Sequence, residues 1–452
     1  MATPSTPQSQ DRTNALTPSA VELNMNRRAV GANQQLILGI NVLGLGQRPA
    51  AWQSESLGPT AFIERDYWVG VAREIERGKL DALFLADAPQ LSNPSERPAG
   101  ALEPSVLLSA IAAETESLGL VGTLSTTYND PEELAARILT LDHVSNGRAG
   151  WNIVTTASPA ASANFGFESP PARDQRYSRA HDFVSFVEEL WYGAGNGRQV
   201  RCHGRDWTGR LLMPPSVQGR PGLVQAGGSP EGRRLAGERA DAVFSAEMTL
   251  ASALENYRVV KDHARMIGRD PHAVKVLPGF ALVIGSTERE AIDRYEAWEE
   301  RAPKNYTSDR LAGILGIDIS EFDLDRPLPP WVTEIPNDPQ NFASSLSFRA
   351  TTVRLAREHN LTVRELLRVF GGYGHPIIVG TPKRIADTLT DWFLKGAADG
   401  FNLMPDILPE GLTVLIDEVL PILRARGIFR SSYEASTFRG RLTPSRRLPL
   451  RT

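Results

Sequence analysis

The chain has 452 residues, of which 41% are hydrophobic and 23% are charged, and its formal net charge is -4. This is the composition of an ordinary soluble globular protein, and it gives no indication of a nucleic-acid or membrane partner. The single cysteine, Cys202, excludes an internal disulfide and any multi-cysteine zinc or iron-sulfur site, and it favours a reducing, cytoplasmic location.

Both ends of the chain differ in composition from the middle. Residues 1–34 are rich in Pro, Ser, Thr, Asn and Gln and contain no apolar stretch of signal-peptide length, so we predict a disordered N-terminal arm. The scattered Arg and Pro residues of 429–452 predict a C-terminal surface tail. No membrane-spanning helix is predicted, because every apolar run is much shorter than roughly 18 residues.

Between the two ends, short apolar runs alternate with amphipathic segments, which is typical of repeated βα units. A first strand is predicted in LILGINVLG, and a helix follows over residues 62–78, where apolar side chains recur near helical spacing. Another helix is predicted to begin at Asp130-Pro131, since Asp is a favoured N-cap and Pro suits the first turn. In all, strands are predicted at 36–44, 81–87, 118–126, 148–155, 222–227, 241–247, 274–285 and 400–406.

Eight strands with intervening helices predict an α/β fold, namely a (β/α)8 TIM barrel formed by residues 35–428. Their apolar character suits parallel strands that are covered on both faces, although an open doubly wound sheet would also fit. Insertions are predicted where polar or irregular segments break the rhythm, at 45–60, 157–172, 193–217 and 300–372. The last is long enough to form a lid over the active face.

The active site of such a barrel lies at the C-terminal ends of the strands, and several of these ends are polar. Asp87, Thr123 and Asn152 are among the residues concerned. Each could instead cap a helix or form a turn, but several on one face favour a ligand site. Asp87 follows the apolar FLA, so its ionised carboxylate needs a hydrogen-bond donor.

The fifth βα unit contains VQAGGSPEGRRLAGERAD from residue 224 onward. Gly227 and Gly228 permit a close backbone approach. Ser229 and Pro230 then begin a helix whose N-terminal N–H groups could bind a phosphate. An ordinary turn with a serine cap is the alternative interpretation.

No metal site is predicted, because no histidine pair stands at metal-ligand spacing beside a third ligand. His375, between the glycines of GGYG and Pro376, is predicted to lie in an exposed turn, either in the substrate pocket or in a structural role. The sequence has no G-x-S-x-G elbow, Walker loop or G-x-G-x-x-G fingerprint. A covalent hydrolase and a P-loop enzyme therefore have no support.

Several motifs together resemble those of one family. They are FLAD at the second strand, TLSTTYNDPEELAARILTLDHVSNGRAGWNIVTT, ARDQRYSRAHDF, QAGGSPEGRRLAGERAD, and VGTPKRIADTLTDWF before DGFNLMPD. From about residue 36 to 426 the chain resembles the bacterial luciferase-like flavin monooxygenases, in particular the branch of the nitrilotriacetate, pristinamycin IIA synthase and dibenzothiophene sulfone monooxygenases. The fold of that family is a (β/α)8 barrel, which agrees with the predicted strands.

The resemblance implies a two-component flavin-dependent monooxygenase. Reduced FMN, supplied by a separate NAD(P)H-dependent flavin reductase, would react with dioxygen to give a flavin peroxide. The peroxide would then oxygenate a small organic substrate. Homo-oligomers, either dimers or tetramers, are usual in the resembling family.

The resemblance also assigns residues to FMN. Asp87 and Thr123 would lie near the isoalloxazine and ribityl parts, and Asn152 would be delivered to the same face. Arg173 stands where the family often has a histidine, and an arginine can also pair with phosphate. The phosphate end would be held by residues around the GGS turn and the ARDQRY segment, namely Arg173, Tyr177, Gly228 and Ser229.

Three alternatives stay open at the level of the sequence. One is a relative on the same barrel that uses a deazaflavin coenzyme for hydride transfer, and another is a non-catalytic flavin-binding subunit. The third is an unrelated barrel enzyme such as a glycosidase, for which Asp87 and Asp406 would be the paired carboxylates. The GGS turn and the polar strand ends fit a phosphate-bearing cofactor better than this third alternative.

Overall fold

A computed structural model of the chain describes residues 35–54, 57–58, 60–91, 100–202, 204–303, 306–334, 346–370 and 375–442. The predicted N-terminal arm, residues 1–34, lies outside the described residues.

Eight parallel strands form a closed barrel. Each strand pairs with the next along the chain, and the eighth also pairs with the first, which closes the sheet. The predicted (β/α)8 barrel is therefore confirmed, and the alternative of an open sheet is wrong. The strands are β1 (Ile37–Val42), β2 (Ala82–Leu85), β3 (Gly119–Ser125), β4 (Ala149–Val154), β5 (Gly222–Ala226), β6 (Ala242–Ser245), β7 (Lys275–Ile284) and β8 (Gly400–Pro405).

Strand β7 is long enough to pair with two partners along one edge. Its first half pairs with β6, and its second half pairs in parallel with an additional short strand, Ile377–Gly380. This strand was not predicted, because its four residues stand between Pro376 and Thr381-Pro382 and are too few to give a strand pattern of their own. A separate two-stranded antiparallel hairpin joins Val200–Arg201 to Thr208–Gly209.

Helices follow the strands and cover the outside of the barrel. Several begin with a proline after an N-capping side chain; for example, Asp130 accepts hydrogen bonds from the N–H groups of Glu132 and Glu133, each at 3.0 Å. None of the helices in the described ranges is both long enough and apolar enough to cross a bilayer. The α-helices that the structure describes outside the 300–372 insertion are Arg65–Arg77, Pro104–Ala112, Pro131–Val144, Pro159–Asn164, Arg173–Tyr192, Pro230–Arg239, Leu250–Met266, Glu288–Arg301, Pro382–Leu394, Glu410–Val414, Leu420–Ala425 and Phe438–Leu442.

Apolar side chains fill both faces of the strands, because successive residues of a strand point to opposite sides of the sheet. In β1, Leu38 and Ile40 belong to the core between strands and helices. Ile37 of the same strand packs inside the barrel with Phe84 and Val121. The N-terminal half of the barrel interior is therefore filled by packed side chains. A ligand can bind inside the barrel only at the C-terminal ends of the strands.

The 300–372 insertion forms a small helical unit with its own apolar core. Its helices are Tyr306–Leu315, Pro330–Glu334, Leu346–Glu358 and Val363–Phe370. Their buried side chains pack together with Met248, which lies three residues after β6. The insertion is thus attached beside the C-terminal end of the barrel, and its action as a lid stays a prediction.

Three buried aspartates brace the N-terminal end of the barrel. Asp81, Asp241 and Asp399 each stand immediately before an even-numbered strand, and each accepts a backbone N–H of the preceding strand at 2.8–3.0 Å. Burial alone would raise the pKa of Asp241 and of Asp399, but their cations hold both values below the usual one. The cations that pair with the three aspartates are Arg430, Arg220 and Lys261, in that order.

The prediction of a surface tail after residue 428 is wrong for residues 429–442. Phe438 is only 2% exposed and closes the N-terminal end of the barrel. Its ring lies where three strand glycines leave room: a Cβ atom added to any of them would come within 2.6–2.9 Å of the ring. The arginines of this segment, which suggested exposure, include Arg430 and Arg441, and both are buried against Asp81. The three glycines are Gly119, Gly150 and Gly222.

Candidate active site

Thr123 and Asn152, both predicted site residues, meet in the C-terminal half of the barrel. They are neighbours in register across β3 and β4, and Asn152 Nδ2 donates to Thr123 Oγ1 at 3.0 Å. Both side chains are buried, and Asn152 Oδ1 has no hydrogen-bond partner among the described residues. A buried acceptor without a partner costs on the order of 1–3 kcal/mol, so this atom marks a place where a ligand can donate.

The other hydroxyl groups at the ends of β3 and β4 form hydrogen bonds at these two strand ends, partly with each other and partly with the backbone. Ser125 Oγ accepts from Thr156 Oγ1 at 2.8 Å and from the Thr127 N–H at 3.1 Å. Thr126 Oγ1 donates to the Val154 carbonyl oxygen at 3.2 Å. These contacts tie the two loops together and hold Thr123 and Asn152 in a fixed frame.

A second group of predicted residues meets at the end of β5. Ser229 is the N-cap of the Pro230–Arg239 helix, and its Oγ accepts from the Gly232 N–H at 3.1 Å. The same hydroxyl donates to Tyr177 Oη at 3.0 Å, so the Arg173–Tyr192 helix and the β5 turn are joined at this point. A Cβ atom added at the nearby Gly227 would lie 2.6 Å from Gln225 Nε2, so a side chain there would require the Gln225 amide to move. The expected phosphate-binding turn is therefore narrow and formed largely by backbone.

Arg173 reaches this turn but is already paired. Its Nη2 lies 3.2 Å from Glu231 Oε2, and its guanidinium carbon lies 5.7 Å from the centre of the Tyr177 ring. Burial acts to raise the pKa of Glu231, but the residue's own backbone N–H and Arg173 together hold it below the usual value. A phosphate at this helix end would therefore share Arg173 with a carboxylate.

Asp87 lies two residues after β2 and is half-buried. Burial raises the pKa of its carboxyl group, the backbone N–H of Ala88 acts in the opposite direction, and Glu103 raises it further. The Asp87 carboxyl group is thus partly shielded from water, and none of the described residues places a cation beside it. The described contacts do not join Asp87 directly to Thr123 or to the Ser229 group.

His375 is buried, so the prediction of an exposed turn is wrong. Its ring stacks on Phe244 at 5.0 Å between centres and meets Phe348 of the insertion edge-on at 6.3 Å. It enters the barrel wall because Gly279 has no side chain: a Cβ atom there would lie 2.6 Å from His375 Nδ1. Burial lowers the pKa of His375 to about 4, against a smaller opposite effect of a hydrogen bond with the Gly279 backbone, so the imidazole is neutral at physiological pH.

Three further strand amides are buried and were not among the predicted site residues. Asn41 and Asn402 point into the barrel, whereas Gln225 points outward toward the helix that follows, because its neighbour Val224 packs inside the barrel. Gln225, Asn41 and Asn402 are each at most 5% exposed, and each has at least one oxygen without a hydrogen-bond partner in the described ranges. The sequence did contain a signal for them. Each is the only polar residue within an otherwise apolar strand run, as in LVQA, GINV and GFNLM.

A buried carboxyl group, Glu247, was also missed. It lies two residues after β6 and is 3% exposed. Burial raises its pKa to about 7, and the Ser252 hydroxyl, Arg233 and Arg354 offset this effect only in part. Glu247 is near two cations, Arg233 of the Pro230–Arg239 helix and Arg354 of the insertion.

A profile described as "Luciferase-like monooxygenase" matches residues 47–399. The chain belongs to the luciferase-like monooxygenase family. It is 38% identical to nitrilotriacetate monooxygenase component A of Aminobacter aminovorans, an alignment that covers 91% of this chain and 97% of that one. This luciferase-like protein is accordingly an oxidoreductase of the monooxygenase class.

Solved structures give the same result. The EDTA monooxygenase of Chelativorans sp. BNC1 superposes with a TM-score of 0.76 and 32% identity, over 90% of this chain and 98% of that one. A riboflavin lyase, solved with a modified FMN and riboflavin, also gives a TM-score of 0.76, with 30% identity over 91% and 96% of the two chains. The barrel of this luciferase-like monooxygenase is thus shared with an FMN-binding structure.

The side chains at the C-terminal end of the barrel suit FMN. Neutral amides with unpartnered atoms, at Asn41, Asn152 and Asn402, can bond the polar edge and ribityl hydroxyls of a flavin. The Ser229 turn and Arg173 offer a hydroxyl, a helix N-terminus and a cation, which are groups that suit a phosphate. No group of three His, Cys, Asp or Glu side chains lies at metal-binding distance in the part of the chain that the structure describes.

Proposed function

We propose that this luciferase-like monooxygenase uses reduced FMN and dioxygen to oxygenate a small organic substrate, as the larger component of a two-component system. The observation that carries the proposal is the arrangement around the mouth of the barrel. The helix N-terminus capped by Ser229 follows β5, and buried amides with unpartnered atoms line the barrel interior at β1, β4 and β8, namely Asn41, Asn152 and Asn402.

FMN would bind across the mouth of the barrel with its phosphate at the β5 turn. Ser229, Tyr177 and the Gly227-Gly228 backbone would hold the phosphate, with Arg173 as the counter-charge. Thr123 and Asn152 would bond the ribityl and ring portions, and Asp87 would face the ring from β2. Reduced FMN, when bound, supplies the electrons with which dioxygen is activated.

Aromatic and insertion residues would exclude water from the reacting centre. Phe244, His375 and Phe348 form a row of ring contacts from the barrel wall to the Leu346–Glu358 helix, the first stacked and the second edge-on. We propose that this row borders the substrate, with neutral His375 offering a hydrogen-bonding nitrogen rather than a charge. The insertion of residues 300–372 would act as the lid that completes the cover.

A separate NAD(P)H-dependent flavin reductase would supply the reduced FMN. The relative from Aminobacter aminovorans is named as component A of its monooxygenase, which supports a partner component here. We further propose a homo-oligomer in a reducing, cytoplasmic setting, to be checked by light scattering of the purified protein.

Oxygen uptake with a reductase tests the proposed function. The purified chain is combined with FMN, NADH and a flavin reductase, and candidate amines, sulfones and heterocycles are screened for product that gains one atom from ¹⁸O₂. FMN should also raise the midpoint of thermal unfolding. A chain that neither binds FMN nor is protected by it would refute the proposal.

The same assay separates the two flavin-based alternatives. Anaerobic turnover with a deazaflavin would favour hydride transfer on this barrel. Tight FMN binding without labelled product across the panel would instead favour a non-catalytic flavin-binding subunit.

A further inference from the structure

The loop after β1 carries two buried polar side chains at the rim of the barrel. The backbone N–H of Gln47 donates to the Pro405 carbonyl oxygen at 3.0 Å, and that of Arg48 donates to the Asp406 carbonyl oxygen at 3.2 Å. The loop is therefore fixed to the end of β8. Each of the two residues is only 3% exposed.

Arg48 has more donors than the surrounding chain satisfies. Its Nη2 forms an ion pair with Glu299, and its guanidinium carbon lies 5.1 Å from the centre of the Tyr295 ring. Its Nε and Nη1 have no hydrogen-bond partner among the described residues, and neither do the two side-chain amide atoms of Gln47. Glu299 and, from a distance, Asp406 balance the charge of the guanidinium, but buried donors without partners are costly, so Nε and Nη1 are left to donate to a further oxygen acceptor.

The position of Arg48 separates it from the phosphate end. In a closed ring of eight strands, β5 lies opposite β1, and the Ser229 turn stands at the end of β5. A flavin that binds its phosphate at β5 therefore directs its ring across the mouth toward the side of β1 and β8. A substrate beside the ring would meet the rim that carries Gln47 and Arg48.

We propose that Arg48, assisted by Gln47, binds a carboxylate group of the substrate. This inference rests on the proposed function and names the substrate class as small organic acids. Guanidinium and carboxylate groups form charge-assisted hydrogen bonds, and the Gln47 amide adds a neutral donor on the same loop. Glu299 would keep part of the guanidinium occupied until the substrate carboxylate takes up the remaining donors.

The test compares an acid with its uncharged counterpart. Binding of succinate and of succinamide to the full-length, FMN-loaded protein is measured by calorimetry, and FMN affinity is measured separately. Succinate should bind saturably and at least about tenfold more tightly than succinamide, and Arg48→Gln should abolish this preference while FMN affinity stays unchanged. Glu299→Gln should tighten succinate binding several-fold, because it removes the competing carboxylate; a purely structural Arg48 would not give this gain.

Two variants keep the test decisive. Arg289→Gln, at a solvent-exposed arginine of the same Glu288–Arg301 helix, is the control and should bind succinate as the wild type does. Should Arg48→Gln fold poorly with Glu299 left unpaired, the double variant with Glu299→Gln removes both charges and should show the same loss of preference. Equal binding of the two probes, no saturable succinate binding, or a loss of FMN affinity in Arg48→Gln would overturn the assignment. Repeating the succinate titration without FMN distinguishes a failed carboxylate site from a failed FMN proposal.

Discussion

Removal of the Phe438 ring should destabilise the barrel strongly. The side chain is 2% exposed and sits against strand glycines whose backbones are held in the sheet, so the cavity left by Phe438→Ala cannot collapse easily. Deletion of a large buried side chain of this kind costs about 3–5 kcal/mol, which is a large fraction of the roughly 5–15 kcal/mol of a typical domain.

Equilibrium unfolding in urea measures this effect. The midpoint should fall while the slope stays the same, because the ring is lost from the folded state and the exposed area on unfolding changes little. Phe167→Ala is a matched control at a side chain that is 48% exposed, and it should cost less than about 1 kcal/mol. If Phe438→Ala were as mild as this control, the segment from residue 429 onward would not be part of the barrel core.

Three further predictions concern buried and site carboxylates. Asp241→Asn should lower the free energy of unfolding by about 3–5 kcal/mol in denaturant titrations, because Arg220 would lose its buried partner. Since the pKa of Asp241 is lowered in the folded state, the wild type should lose this stabilisation only as pH falls below the normal Asp range. An unchanged unfolding midpoint of the variant at pH 7 would contradict this prediction. The pKa of Glu247 is raised to about 7 in the folded state, so its contribution to stability is fully present below its unfolded pKa and is lost as pH rises through 7. Glu247→Gln should therefore have a free energy of unfolding on the order of 1–3 kcal/mol higher than the wild type at pH 8, and a similar one at pH 4.5. Equal differences at the two pH values would count against this prediction. Glu231→Gln should raise the affinity for FMN several-fold in fluorescence titrations, because Arg173 is freed to pair with the phosphate. The affinity for riboflavin, which has no phosphate, should stay constant. A parallel change for both ligands would argue against a phosphate at this turn.

Local sequence patterns were sufficient to predict the barrel fold. The apolar runs place the strands within a few residues of those observed. The helix starts follow from the N-capping residues Asp130 and Ser229, each of which is followed by a proline. Pairs such as Thr123 with Asn152 follow from strand register once the barrel is accepted, since both stand near the ends of adjacent parallel strands.

Contacts between distant parts of the chain were not predictable in this way. Arg430 looks like a surface residue until Asp81, separated from it by 349 positions, is known to lie beside it. His375 could be placed in the barrel wall only by knowing that Gly279 leaves room for its ring. Arg48 had no sequence signal at all, because its burial depends on Tyr295 and Glu299 from another βα unit.

The affinity difference between FMN and riboflavin tests the central claim most directly. The two ligands differ only in the phosphate, which the account places at Ser229, Tyr177 and Arg173. FMN should bind at least about tenfold more tightly than riboflavin, and Ser229→Ala or Tyr177→Phe should shrink this ratio without changing riboflavin affinity. Equal affinities for the two ligands, or a ratio that neither variant changes, would contradict the proposed cofactor site.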